Sequence, residues 1–316
     1  MPATRSPIAP VLKGLAGVTA LGVGGLAYAG LYEMNAFRLR RFDVPVLPTG
    51  AAPIRVLHIS DLHMTPGAKA RQRWVAGLAG LEPDLVVNTG DNISHVEAGA
   101  YVLRSLGRLL DVPGVFVWGS NDYFVPTLKN PIRYLTERGK TARPGKRTLP
   151  WRDLGRAFAD AGWVELTNTS AKLDIHGIRI GLRGTDDAHL HQDEYGQVAG
   201  PIDRSSVDLA LGVTHAPYRR VIDAMAYDGH DLILAGHTHG GQVCVPLVGA
   251  LVTNCDLDPA RAKGLSQHSA GGRTSWMHVS AGLGTSPYAP VRFACKPEAT
   301  LLTLTAKAAG VTAAMG

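Results

Sequence analysis

Seven residues of this 316-residue chain share a metal-ligand chemistry and a common placement. Asp61 and His63 form an Asp-x-His pair. Asp91 follows Gly90, Asn121 lies two residues after Gly119, and His215 follows Thr214. His237 and His239 form a Gly-His-x-His group that runs into Gly240-Gly241-Gln242. Carboxylate and amide oxygens mixed with imidazole nitrogens suit Mn, Fe, Zn or Co, and two ions held this way need about this inventory. A carboxylate shared between two cations offsets their repulsion. No one of these motifs is specific, since an isolated His-x-His is more often a polar loop. The full set, repeated at one strand end after another, is specific.

The elements that must carry these donors read as buried strands. Residues 54–60, 84–89, 115–118, 207–213 and 231–235 are short apolar runs, each closing on glycine or on one of the donors. Between the first three lie helical patterns. Residues 71–81 place Trp74, Val75, Leu78 and Leu81 at helical spacing, and residues 96–110 place Val102, Leu103, Leu106, Leu109 and Leu110 on one face. Layered α/β folds bind ligands at such carboxyl ends of strands. A helix over 151–161, a strand over 163–166, a hairpin turning at His176-Gly177, and strands over 276–280 and 300–305 extend the pattern. The polar loop 185–200 carries Asp186, Asp187, His189 and His191. Its two carboxylates either support the ligands or solvate a turn, and neither histidine is expected to be essential alone. His58 sits inside an apolar run and reads as a core histidine. His95, His176, His230, His268 and His278 lack paired ligand context.

The ordered set Asp-x-His, Gly-Asp, Gly-Ser-Asn-Asp, His and Gly-His-x-His over residues 54–305 resembles the calcineurin-like metallophosphoesterase superfamily. Gly236-His237-Thr238-His239-Gly240-Gly241-Gln242, with the later Gly282-Leu283-Gly284-Thr285-Ser286, Arg292-Phe293 and Pro297-Glu298, is similar to its membrane-anchored bacterial branch. The resemblance implies an α/β fold: a four-layer α-β-β-α sandwich with the site at the sheet edges. It also implies two divalent ions. Asp61, His63 and His239 would hold one, Asp91 would bridge, and His215, His237 and an amide oxygen would complete the second. A water between such ions ionises near neutral pH, and the hydroxide would attack phosphorus in line.

The third motif departs from the family's Gly-Asn-His-Asp. A gapless match of Gly119-Ser120-Asn121-Asp122 puts Ser120 at the ligand position. A one-residue slip makes Asn121 the ligand and turns Asp122 toward substrate. Asn121 is preferred as ligand because an amide oxygen outdoes a neutral hydroxyl, which leaves Asp122 as the catalytic candidate. Either way the usual histidine is missing and Asn cannot give a proton. The acid is then Asp122, His189, His191 or water, and phosphodiesters or pyrophosphates with good leaving groups are the expected substrates. The alternative is a degraded site on a metal-binding, membrane-anchored binding or scaffold module.

Between Lys13 and Glu33 no residue is charged. As a helix that run approaches the hydrocarbon thickness of a bilayer. A single-pass anchor over residues 14–32 is expected, the alternative being a cleaved export signal near Ala29. The expected organisation is an N-terminal membrane segment with its juxtamembrane stretch over 1–42, then a Pro-rich linker or edge strand over 43–53. The catalytic domain spans 54–306, with a cap or solvated loop over 123–150, and a frayed tail covers 307–316. With 45% hydrophobic residues, 18% charged residues and a net charge of +6, the composition favours anionic substrates or lipid headgroups. The apolar anchor and the basic stretch 123–150 point to a phospholipid or lipid-linked phosphoester. No basic run with interleaved aromatics is present, so nucleic acid is not an expected partner. Cys244, Cys255 and Cys295 form neither a disulfide framework nor a zinc knuckle.

Overall fold

The computed structural model describes residues 19, 22–127 and 147–308. The first strand, β1 (Arg38–Leu47), precedes β2 (Ile54–Ile59), β3 (Leu85–Asn88), β4 (Gly114–Phe116) and β5 (Val164–Glu165). Helices α1 (Lys69–Gly77), α2 (Ala98–Leu106), the single turn α3 (Ser120–Tyr123) and α4 (Trp151–Asp160) are set between them. The second half runs through β6 (Ser170–Ile175), β7 (Ile178–Gly184), β8 (Leu209–Val213), α5 (Arg219–Asp228) and β9 (Leu232–Ala235). It then forms the short hairpin β10 (Cys244–Val245) and β11 (Gly249–Ala250), followed by β12 (Gly264–Ala270), β13 (Arg273–Val279) and β14 (Glu298–Ala306).

Two six-stranded sheets result, ordered β1-β14-β2-β3-β4-β5 and β12-β13-β9-β8-β7-β6. Strands β2 to β5 are mutually parallel, as are β7, β8, β9 and β13. The residues of β3, β8 and β9 are buried throughout, which is why these strands appear in the sequence as continuous apolar runs. One core lies between the sheets, where Val56, Val87 and Val115 meet Ile180, Leu211 and Leu234. A second packs α1, α2 and α4 on the outer face of the first sheet, with Phe116, Trp118 and Phe158 in ring contact. A third packs Val221, Ile222 and Met225 of α5 on the second sheet. The order is helix, sheet, sheet, helix. Removing the Phe158 ring from the fully buried second core would cost about 3–5 kcal/mol.

The stretch expected as juxtamembrane chain and linker contains β1, an edge strand parallel to β14 from Arg38↔Glu298 onward. The membrane expectation is corrected. Among the described residues no helix is long and apolar enough to cross a membrane. The expected span over 14–32 lies outside the described residues up to 18 and again at 20–21. From Tyr28 onward the chain contacts the domain. Tyr28–Tyr32 forms one π turn and Glu33–Asn35 one 3-10 turn. The Ala29 carbonyl accepts from the Arg292 amide at 3.1 Å, and the Tyr28 ring meets Phe293 edge-on. The buried Glu33 carboxylate accepts from the Cys295 and Ala294 amides at 2.7 and 3.0 Å. Residues 128–146, most of the expected cap, and 309–316 of the expected tail also lie outside the described residues.

Candidate metal centre

The parallel strands deliver their donors to one edge of the sandwich. Asp61 and His63 follow β2, Asp91 follows β3, Asn121 sits in α3 after β4, His215 follows β8, and His237 and His239 follow β9. Five of these residues, Asp61, His63, Asp91, His237 and His239, have φ between 39° and 68°. Non-glycine residues in the left-handed region are strained, and such strain persists where surrounding structure imposes it. Here it turns each side chain back over the strand ends.

The donors form two groups around one carboxylate. Nε2 of His63 lies 3.3 Å from Nε2 of His239, which lies 3.6 Å from Asp61 Oδ1. On the other side, Nδ1 of His237 lies 3.3 Å from Nε2 of His215. Asp91 Oδ2 stands between them, 3.5 Å from His63 Nε2 and 3.6 Å from His215 Nε2. Asp61, His63, Asp91 and His239 offer ligand atoms all within 4.8 Å of one another.

Backbone carbonyls set the imidazole tautomers. Nδ1 of His239 donates to Gly284 at 3.1 Å and Nδ1 of His215 to Thr89 at 2.7 Å, so both present Nε2 to the centre. His237 is reversed: Nε2 donates to the Asn254 carbonyl at 3.2 Å and Nδ1 faces inward. Carbonyls behind the rings are the usual orienting partners of metal-binding histidines. Asp61 Oδ1, buried, has no hydrogen-bond donor, although Oδ2 accepts from Ser60 Oγ at 2.5 Å and from the His237 amide. A donorless buried carboxylate oxygen among neutral imidazole nitrogens fits a divalent cation.

The electrostatics agree with that donor set. Burial pushes the His63 imidazole down to about 4, and holds His237 and His239 well below the usual histidine range. Burial alone would raise Asp91, but the charges of His215 and His63 and two hydrogen bonds from Asn121 bring it to about 2. Burial raises Asp61 to about 6. Burial also works against a charged His215, yet Asp91, Asp187 and Asp61 together hold it at about 9.

Glycines make room for this packing. A methyl group on Gly236 would fall 1.9 Å from Ser60 Oγ and 2.7 Å from Asp61 Oδ2, and one on Gly119 would fall 2.2 Å from Asp91 Oδ1.

The third motif divides its work. Asn121 reaches Asp91, donating its backbone N–H to Oδ1 at 2.8 Å and its side-chain amide to Oδ2 at 2.6 Å. Asp122, the residue expected at the substrate, turns the other way. Wholly buried, it accepts from the amides of Asp91, Asn92, Ile93 and Gly119. With both oxygens engaged by backbone, it is a clamp on the β3 loop. His191 is exposed, whereas His189 is buried, with its ring 4.6 Å from that of His237 and Nδ1 2.9 Å from Tyr218 Oη. His58 is a core residue, paired with His278 at 2.8 Å and Thr89 at 3.0 Å.

Several residues of the centre carry no motif. Arg71 caps the Leu62 and His63 carbonyls at 2.7 Å. The buried Arg292 caps the Ala281 and Gly284 carbonyls at 2.7 Å. Asn254 holds His237, and a cavity of about 660 Å³ opens beside it toward Arg261 and His268.

An α/β sandwich with such a centre defines a metal-dependent hydrolase of phosphoesters. Residues 54–241 match the calcineurin-like phosphoesterase family, and the chain belongs to it. It is similar to the uncharacterized protein YpbG of Bacillus subtilis (strain 168), 27% identical over 259 residues, 81% of this chain and 82% of that one. It is similar as well to phosphodiesterase YaeI of Escherichia coli (strain K12), 27% identical over 288 residues, covering 89% and 93%. Among solved structures, a 5'-nucleotidase precursor from Thermus thermophilus aligns with a TM-score of 0.43 and 13% identity, over 80% of this chain and 55% of that one.

Proposed function

We propose that the chain hydrolyses a phosphodiester or pyrophosphate at a centre for two divalent cations. Asp61, His63 and His239 would hold one, and Asn121, His215 and His237 the other, with Asp91 common to both. The observation that carries this reading is the position of Asp91 Oδ2, 3.5 Å from His63 Nε2 and 3.6 Å from His215 Nε2. Bound cations would polarise phosphoryl oxygens and acidify water near neutral pH. The Escherichia coli relative that is named a phosphodiesterase supports the substrate class.

The chain's own residues do the positioning. Asn121 holds Asp91 from one side. Thr89, Gly284 and Asn254 fix the rings of His215, His239 and His237 through their carbonyls. Asn121, an amide, supplies no proton to a leaving group, and both oxygens of Asp122 already accept from backbone amides. Substrates whose leaving groups depart without one are therefore favoured, such as pyrophosphates and aryl phosphodiesters.

The test is hydrolysis of bis(p-nitrophenyl) phosphate by protein stripped of metal and resupplied with Mn, Zn, Fe or Co in turn. Activity is expected to return with metal in the wild type and to stay absent in Asp91→Asn. Equal turnover in the variant, or faster hydrolysis of alkyl monoesters than of the aryl diester, would overturn the reading.

A further inference from the structure

Two buried carboxylate oxygens among the described residues have no hydrogen-bond donor. One is Oδ1 of Asp61, already in the centre. The other is Oδ2 of Asp187. We propose, on the two-cation reading above, that Asp187 is a further cation-facing carboxylate of the centre, on its His215 side.

The fold puts Asp187 there. Strands β7 and β8 are parallel neighbours in register at Gly184↔Val213. The chains leave the sheet side by side. The Thr185 amide donates to the Val213 carbonyl at 3.2 Å, and the Thr185 and Thr214 hydroxyls bond at 2.9 Å. Asp187 stands three residues beyond the end of β7, as His215 stands two beyond the end of β8. It leaves its strand at the edge where every other donor leaves.

The two oxygens of Asp187 have different fates. Oδ1 accepts the His189 amide at 2.7 Å and caps the turn Ala188–Leu190. Oδ2 is enclosed, in a side chain with no solvent exposure, and has no donor. Burying a carboxylate without a partner is costly, and such a group either stays protonated or meets a cation. Among the carboxylates that raise the His215 imidazole, Asp187 ranks after Asp91 and ahead of Asp61. Asp187 itself feels burial first and His215 next. The two donorless oxygens belong to residues that leave different sheets, Asp61 after β2 and Asp187 after β7.

The neighbouring Asp186 is spoken for by the Tyr123 hydroxyl at 2.6 Å and the Asp187 amide at 2.7 Å. The adjacent pair therefore has separate roles, one fixing the loop and one facing the centre.

The experiment is a titration of metal-free protein with Zn²⁺ against a chromophoric chelator, for the wild type, Asp187→Asn and Asp187→Ser, with thermal unfolding of each with and without Zn²⁺. The wild type is expected to take two equivalents. Both variants should keep one at wild-type affinity and weaken the other by about 10–100-fold. Metal-free Asp187→Asn should melt no lower than the metal-free wild type, because it retains the cap and loses the donorless charge. Two equivalents at wild-type affinity in both folded variants would overturn the proposal and leave Asp187 a turn cap. A wild type that takes no second equivalent would instead sink the two-cation reading, and this proposal with it.

Discussion

Asp122 holds Asp91 by its backbone: Oδ2 of Asp122 accepts the Asp91 amide at 2.7 Å, while its other oxygen takes the next amide at the same distance. The backbone of the carboxylate central to the site is therefore held by the Asp122 side chain. Replacing Asp122 with Ala strands several buried amides, at about 1–3 kcal/mol for each one left unpaired. Urea unfolding of Asp122→Ala should show a loss of that size. What activity survives should keep the wild-type dependence on leaving-group acidity. A changed dependence with unchanged stability would return Asp122 to a chemical role.

Metal uptake should release protons, and the pH window follows from two groups. In metal-free protein His215, held up to about 9, is charged at pH 7 and must lose a proton to bind. Asp61, raised to about 6, is largely ionised by then, and His63, lowered to about 4, is already neutral. Apparent affinity should climb from pH 6 to 9, with about one proton released per chain at pH 7.5. Calorimetric titrations in two buffers of different ionisation enthalpy count that proton. The sign for stability is opposite. A raised histidine value stabilises the metal-free fold below about 6.5, and that contribution fades as pH passes 9.

Gly236 has a neighbour problem that no side chain can solve. Gly236→Ala would drive its methyl into Ser60 Oγ and toward Asp61 Oδ2. The expected outcome is a loss of metal affinity of about 10–100-fold, the range for disturbed ligand supports. Equilibrium dialysis on folded Gly236→Ala measures it, and unchanged metal content would refute it.

Glu33 ties the turns at residues 28–35 to the domain. Its carboxylate accepts the Ala294 and Cys295 amides, and Cys295 Sγ touches the His239 carbonyl at 3.3 Å. Glu33→Ala should cost about 1–3 kcal/mol for each stranded amide. It should also open residues 28–35 to limited proteolysis while Asp61 and Asp91 stay in place. Cleavage at the wild-type rate would show that other contacts carry the attachment.

Much of this centre is visible before any coordinates. Buried parallel strands must be apolar throughout, so a donor just past such a run marks a strand exit, and Asp61, Asp91, His215 and His237 all announce themselves that way. The misses have one cause, which is distance along the chain. The partner of β1 is β14, some 260 residues later, so local composition leaves linker and edge strand both open over 43–53 and places Arg38 to Phe42 outside the domain until that pairing is seen. Asp122 is the substrate-facing residue of the slipped third motif, and its acceptance of four backbone amides appears only once the β3 loop is in place. Asn254 and Glu33 act through contacts with a remote ring and remote amides, and nothing in their local sequence marks them. Asp187 did leave a sign, since it stands past a strand much as His215 does, but a turn-solvating aspartate looks the same.

In its sheet, β14 lies between β1 and β2. Synthesis runs from β1 to β14, so both neighbours leave the ribosome with an open edge and wait for the strand made last. At about 5–20 residues per second the wait is on the order of tens of seconds. The nascent chain in that interval has the unpaired edges that chaperones recognise.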